Sequence, residues 1–328
     1  MITSETEGKI DYPSLFNRLV LIGGNSNSEL SKRISDNLDI PLANSIISKF
    51  SDGEIRVKIL ENVRGKEVFI IQSTCPPVND NLMELLIIID AIKRASASSI
   101  TAIIPYFGYA KQEKKISGRE PITAKLVANL INVAGANRVV TIDLHAPAIQ
   151  GFFDIPVDNL YAYTILVNAF FENIGKIDKD DFVILAPDAG SVIRARMYSE
   201  KMGLPIAVMF KRRPDIEEVE SMEVVGEIEN KNVIIVDDMV STAKTLVRAA
   251  EKLKNMGANK IYAMAVHPVF SSNAVELIDD SPIEKIFVTD TIPVRKTNRK
   301  IVVASVSGLI SEVIKRIYLK KSISELFD

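Results

Sequence analysis

Tryptophan is absent from the 328-residue chain, cysteine occurs once, at Cys75, and histidine only twice. A single cysteine excludes an internal disulfide and a cysteine-rich metal site. No apolar run approaches the roughly 20 residues that span a bilayer, and the opening MITSETEGKI carries no apolar signal segment. Charge of one sign is not in excess either. The 40 basic and 42 acidic residues leave no electrostatic footprint for nucleic acid or an anionic membrane. The expectation is a cytoplasmic protein with no nucleic-acid or membrane partner. An apolar share of 47% without Trp describes an aliphatic interior, as stacked α/β layers have.

What is present is a regular alternation of apolar runs and helical patterns. Leu19 to Gly24 reads as a strand, and Ser28 to Leu38 as a helix with Leu30, Ile34 and Leu38 at helical spacing. Strands are expected at 68–72, 100–107 and 138–145, with helices at 79–95 and 121–134. The second half repeats the scheme from a helix at 160–171 to a last helix at 308–319. Strand–helix alternation with short links predicts parallel sheets with right-handed crossovers. Two α/β domains, 1–155 and 156–328, are expected to meet near residue 155, with the last helix placed to pack back on the first domain.

The segment NVIIVDDMVSTAKT, Asn232 to Thr245, carries the densest chemistry. Val233 to Val236 is an unbroken β-branched run, as a central strand buried on both faces requires. Asp237 and Asp238 end that run, and Ser241, Thr242 and Thr245 precede or open an amphipathic helix. Carboxylates accept hydrogen bonds from sugar hydroxyls, while loop N–H groups, hydroxyls and a helix N-terminus favour phosphate. A phosphorylated sugar suits both halves. An ordinary strand-turn-helix with one acid as cap accounts for one of the two acids and leaves the other, with the hydroxyls, over. His145 ends another strand, at Asp143-Leu144-His145, where an imidazole can meet a metal or a phosphate oxygen; a lone strand-end histidine is more often structural. GGNSNS, Gly23 to Ser28, lacks the spacing of a dinucleotide-binding loop.

The run DLHAPAIQGFFDIPVDNL resembles the signature of the ribose-phosphate pyrophosphokinases, and the resemblance extends over nearly the whole chain. FSDGEI at 50–55, PYFGYAKQEKK at 105–115, REPITAKLVANLI at 119–131, APDAG at 186–190, KRRP at 211–214 and SISELF at 322–327 are similar to segments of that family. The resemblance implies two tandem phosphoribosyltransferase-like domains, each a mainly parallel sheet flanked by helices. It also implies transfer of the diphosphoryl group of ATP to the anomeric hydroxyl of ribose 5-phosphate, with Mg²⁺, in a dimer-based homo-oligomer, commonly a hexamer.

Carried over by position, Asp237 and Asp238 would bind ribose hydroxyls, and Ser241, Thr242, Ala243, Lys244 and Thr245 the 5-phosphate. Phe50, Asp52 and Glu54, lent by a neighbouring subunit, would bind ATP together with Lys111, Gln112 and His145. His145 and Asp188 would hold the metal, and Lys211 and Arg213 the transition state. Lys244 stands where the family loop has glycine, which is expected to restrict φ there, and Lys111 where arginine is usual. A non-catalytic homologue that regulates an active synthase is the alternative reading.

Overall fold

A computed structural model of the chain describes residues 16–212 and 221–326. Strand β1 (Leu19–Gly23) leads into helix α1 (Ser28–Leu38) and an antiparallel hairpin, β2 (Ser45–Lys49) and β3 (Ile55–Ile59). Then come β4 (Glu67–Ile71), α2 (Val78–Arg94), β5 (Ser99–Ile104), α3 (Thr123–Ala134), β6 (Arg138–Ile142) and β7 (Val157–Leu160). The first sheet has the order β1-β4-β5-β6-β7, all neighbours parallel. It extends past residue 155 to Leu160, because Val157 to Leu160 pair with β6, and the helix expected from residue 160 begins instead at Tyr163.

That helix, α4 (Tyr163–Ile174), is followed by β8 (Phe182–Ala186), α5 (Val192–Met202), β9 (Ile206–Arg212) and β10 (Ser221–Val225). The chain continues through β11 (Asn232–Val240), α6 (Lys244–Asn255), β12 (Ile261–Pro268), α7 (Ala274–Asp280), β13 (Ile283–Thr289), β14 (Ile301–Ala304) and α8 (Ser307–Tyr318). The second sheet runs β10-β9-β8-β11-β12-β13-β14 and is parallel except for the β9–β10 edge pair.

The elements follow from the side chains. Val233 to Val236 are buried between β8 and β12, and Leu30, Ile34 and Leu38 put one face of α1 into the core. Asn27 caps α1 by accepting from Leu30 N at 3.2 Å. Gly135, at φ 120°, ends α3. The two sheets share an apolar core: Leu21, Ile34 and Phe69 join Phe170, Val236 and Val313 in one cluster. Helix α8 lies against α1, where Asn37 Nδ2 donates to Ser307 Oγ at 3.2 Å. Among the described residues no helix is long and apolar enough to cross a membrane.

Candidate active site

The site forms where β11 loses a neighbour. Strand β8 pairs with β11 only as far as Leu185 opposite Ile235 and then turns away, whereas β12 stays paired to Val240. Beyond Ile235 one edge of β11 is open, and Asp237 and Asp238 occupy that opening. They lie within the strand, which runs on to Val240, instead of just beyond it. A crevice of about 260 Å³ opens here, at the carboxyl ends of the strands, lined by Lys111, His145, Asp188, Asp237, Asp238, Thr242 and Thr245 among others.

The departing chain supplies Asp188, whose Oδ1 accepts from Ser191 N at 2.9 Å and Ser191 Oγ at 3.0 Å. On the other side the loop after β11 turns through Ala243, buried and left-handed at φ 61°, and no side chain caps α6. The first N–H groups of α6 therefore remain available to an anion. Ser241 braces the neighbouring loop, its Oγ 3.1 Å from Ser271 Oγ and its carbonyl accepting from Ser271 N at 2.9 Å. Lys244 is exposed, opens α6 and does not line the crevice. The strained φ expected at Lys244 sits one residue earlier, at Ala243, because the helix has already begun at Lys244.

Charge is concentrated at the strand ends. His145 Nδ1 donates to Asp238 Oδ2 at 2.6 Å across the two sheets, and this bond raises the imidazole pKa above its ordinary value. Burial works against the Asp238 carboxylate, but the bond from His145 and the Arg194 charge hold it below the usual carboxylate range. Burial, and then the adjacent Asp238 charge, push Asp237 up to about 7. Arg194 of α5, mostly buried, approaches Asp237 Oδ1 to 3.9 Å. Asp143, fully enclosed and pushed by burial to about 6, accepts from Ala162 N at 2.8 Å.

Neither Arg194 nor Asp143 was singled out above as a site residue. The one signal in the sequence is an arginine near the start of the helix after APDAG, and only the packing of α5 against β11 gives it meaning.

The remaining expected residues are distributed as follows. Phe50, Asp52 and Glu54 form the tip of the β2–β3 hairpin, away from the crevice lining. Phe50 is half exposed with the Arg56 guanidinium 5.8 Å from its ring centre, Phe50 N donates to Glu54 O at 2.8 Å, and Asp52 Oδ1 accepts from Glu54 N at 3.1 Å. Lys111 lines the crevice, but Gln112 does not; its Oε1 accepts from Thr123 Oγ1 at 2.6 Å. Lys211 stands on β9 opposite Met222, and Arg213 lies outside the described residues.

Among the described residues no three His, Cys, Asp or Glu side chains converge on a cation position. His145 and Asp188 share the crevice wall, and with Nδ1 and Oδ1 engaged each keeps its second donor atom, Nε2 and Oδ2, free of a partner among the described residues. Two lateral donors suit Mg²⁺, which takes few protein ligands and completes its shell with phosphate oxygens and water. The carboxylate behind the imidazole also fixes Nε2 as the outward atom.

Known proteins resemble this chain over nearly its whole length. Residues 19–135 match the N-terminal domain of ribose phosphate pyrophosphokinase, and residues 213–328 a phosphoribosyl synthetase-associated domain. A ribose-phosphate pyrophosphokinase of Caldanaerobacter subterraneus is 52% identical over 313 residues, 95% of this chain and 98% of the relative. One from Thermosipho africanus is 51% identical over 311 residues, with 95% and 98% covered. The crystal structure of a phosphoribosylpyrophosphate synthetase from Mycobacterium smegmatis superposes with a TM-score of 0.87 at 37% identity, covering 92% of this chain and 99% of that one.

Proposed function

Because the chain belongs to the ribose-phosphate pyrophosphokinase family, we propose that the crevice at the end of β11 is where its reaction takes place. The enzyme transfers the diphosphoryl group of ATP to ribose 5-phosphate: the C1 oxygen bonds to the β-phosphorus, the bond from that phosphorus to the α–β bridging oxygen breaks, and AMP leaves. The observation that carries the assignment is the juxtaposition of two carboxylates with an uncapped helix start and two threonines within one strand-to-helix segment, Asp237 to Thr245. Asp237 and Asp238 accept the ribose hydroxyls, and Thr242, Thr245 and the first N–H groups of α6 hold the 5-phosphate.

On the opposite wall His145 meets the ATP phosphates, and Lys111 binds ATP nearer the base. His145 and Asp188 would hold Mg²⁺, which when bound offsets charge on the phosphates being transferred. Lys211 stands three residues beyond Val208, the partner of Ala186 at the end of β8, so its backbone reaches the same sheet edge as the crevice. Lys211 and Arg213 stabilise the charge that spreads over non-bridging oxygens during transfer. The exposed tip carrying Phe50, Asp52 and Glu54 serves the ATP site of a neighbouring subunit in a homo-oligomer, a cytoplasmic assembly built from dimers. No observation favours a non-catalytic regulatory role.

A pH dependence follows. Only ionised Asp237 accepts freely from sugar hydroxyls, and its folded-state pKa is about 7. The apparent KM for ribose 5-phosphate is therefore expected to rise as pH falls through 7, by about tenfold at pH 6, one unit below that value. Asp237→Asn should flatten the profile at a raised KM. Steady-state kinetics between pH 6 and 8 decide the point; a wild-type KM that stays level across that range would refute the role of Asp237.

A further inference from the structure

The second histidine of the chain lies at the joint between the two sheets. His267, near the end of β12 and opposite Met239 of β11, is 2% exposed. Both ring nitrogens are engaged. Nε2 lies 3.2 Å from the carbonyl oxygen of Asp143, which can only accept, so Nε2 carries the proton and donates. Nδ1 is then an acceptor and takes the hydroxyl proton of Thr291 at 2.9 Å. Thr289 Oγ1 donates to Val266 O at 2.7 Å, which leaves the Thr291 hydroxyl for the ring. Tyr106 of the first half packs edge-on over the imidazole, centres 5.1 Å apart. A parallel link, from Ser73 Oγ to Thr291 O at 2.6 Å, fixes the same loop to the end of β4.

The residue held by His267 opens the turn that carries His145. Asp143 has a left-handed backbone, φ 43°, which a non-glycine residue keeps only where its surroundings hold it. Its N–H donates to Leu160 O at 2.8 Å, its carboxylate receives Ala162 N, and its carbonyl receives His267. Two residues later His145 donates to Asp238 on β11. The turn is thus tied to adjacent strands of the second sheet at two points, once through a backbone carbonyl and once through the imidazole.

We propose that His267 is a positioning residue for the diphosphoryl transfer: through the Asp143 carbonyl it sets where His145 stands relative to Asp238 and Asp188, and so registers the ATP wall of the crevice against its sugar wall. This rests on the function proposed above. Burial pulls the His267 pKa down to about 4, so the ring stays neutral and keeps one tautomer throughout the working pH range.

The test uses the full chain and three variants. Its two histidines give two imidazole spin systems in a ¹⁵N-histidine spectrum. In the wild type the buried ring should show the neutral Nε2–H tautomer from pH 8 to pH 5.5. His267→Leu, which removes both bonds, should lower kcat by about 10- to 100-fold, leave KM for ATP and ribose 5-phosphate within about threefold, and displace the His145 resonances. His267→Gln, with a donor near the Nε2 position, should restore most of kcat.

A folded His267→Leu protein with wild-type kcat overturns the proposal, as does a His267→Gln protein no better than His267→Leu with losses that follow thermal stability alone. If His267→Leu does not fold, Thr291→Val decides. Displaced His145 resonances with a lowered kcat support the assignment, and an unchanged spectrum with unchanged kcat defeats it. A wild-type protein that forms no AMP would overturn the proposed function, and with it the catalytic purpose of the joint, while the Nε2–H tautomer would still be observed.

Discussion

Asp238→Asn is expected to lower turnover by on the order of 10²- to 10³-fold, the scale at which loss of one preorganised polar contact is felt in a transition state. Asp238 is 5% exposed and holds His145 by a 2.6 Å bond. An amide in its place either turns its NH₂ toward the imidazole N–H, two donors facing one another, or accepts weakly through a neutral oxygen. In both cases the imidazole loses the charged acceptor that fixes its tautomer and holds Nε2 toward the crevice. Asp237 also loses the neighbouring negative charge that helps to raise its pKa, so the KM profile for ribose 5-phosphate should move to lower pH. Steady-state kinetics with both substrates, beside a melting curve showing one cooperative transition, test this. A loss smaller than tenfold in a folded protein would mean that the His145–Asp238 pair is not part of the machinery.

The second large effect is expected at Ala243→Val. Ala243 sits at φ 61° and is buried at the start of α6. Left-handed backbone costs an L-residue about 1–2 kcal/mol, and a β-branched residue there is an outlier. The loop should yield, withdrawing the α6 N–H groups and Thr242 from the phosphate. KM for ribose 5-phosphate should rise at least tenfold, about 1.4 kcal/mol, while KM for ATP stays near the wild-type value. Ala243→Gly, free of the steric conflict, should keep wild-type binding. Equal sugar KM values for the alanine and valine forms would contradict the loop assignment.

The parts of the fold that were legible in the sequence are those whose signal is local. Val233 to Val236 announced a central strand because a buried parallel strand needs apolar side chains on both faces. Strand β7 is not among the expected strands, because Val157-Asp158-Asn159-Leu160 has two polar residues that only its pairing with β6 makes intelligible. The β2–β3 hairpin was known only as a family segment, although Ile55, Val57 and Ile59 alternate with Arg56 and Lys58 as a half-exposed strand should.

The site divides in the same way. Asp237, Asp238 and the threonines could be found because strand-end acids and hydroxyls lie consecutively in the chain. Asp143 and His267 could not, since each acquires its role from the packing of one sheet against the other, and Arg194 acquires its own only from the packing of α5 against β11. Lys244 shows the converse limit: a departure from the family pattern suggested backbone strain, but the turn places the left-handed residue at Ala243 and leaves Lys244 in ordinary helix.

The central claim is a sugar-dependent diphosphoryl transfer, and AMP formation from ATP, ribose 5-phosphate and Mg²⁺ tests it most directly, with Lys211→Ala run beside the wild type. The predicted result is AMP released only when the sugar is present, one AMP for each diphosphorylated sugar, with a loss on the order of 10²- to 10³-fold in the variant. A folded wild-type protein that releases no AMP, or releases it equally without the sugar, would contradict the assignment.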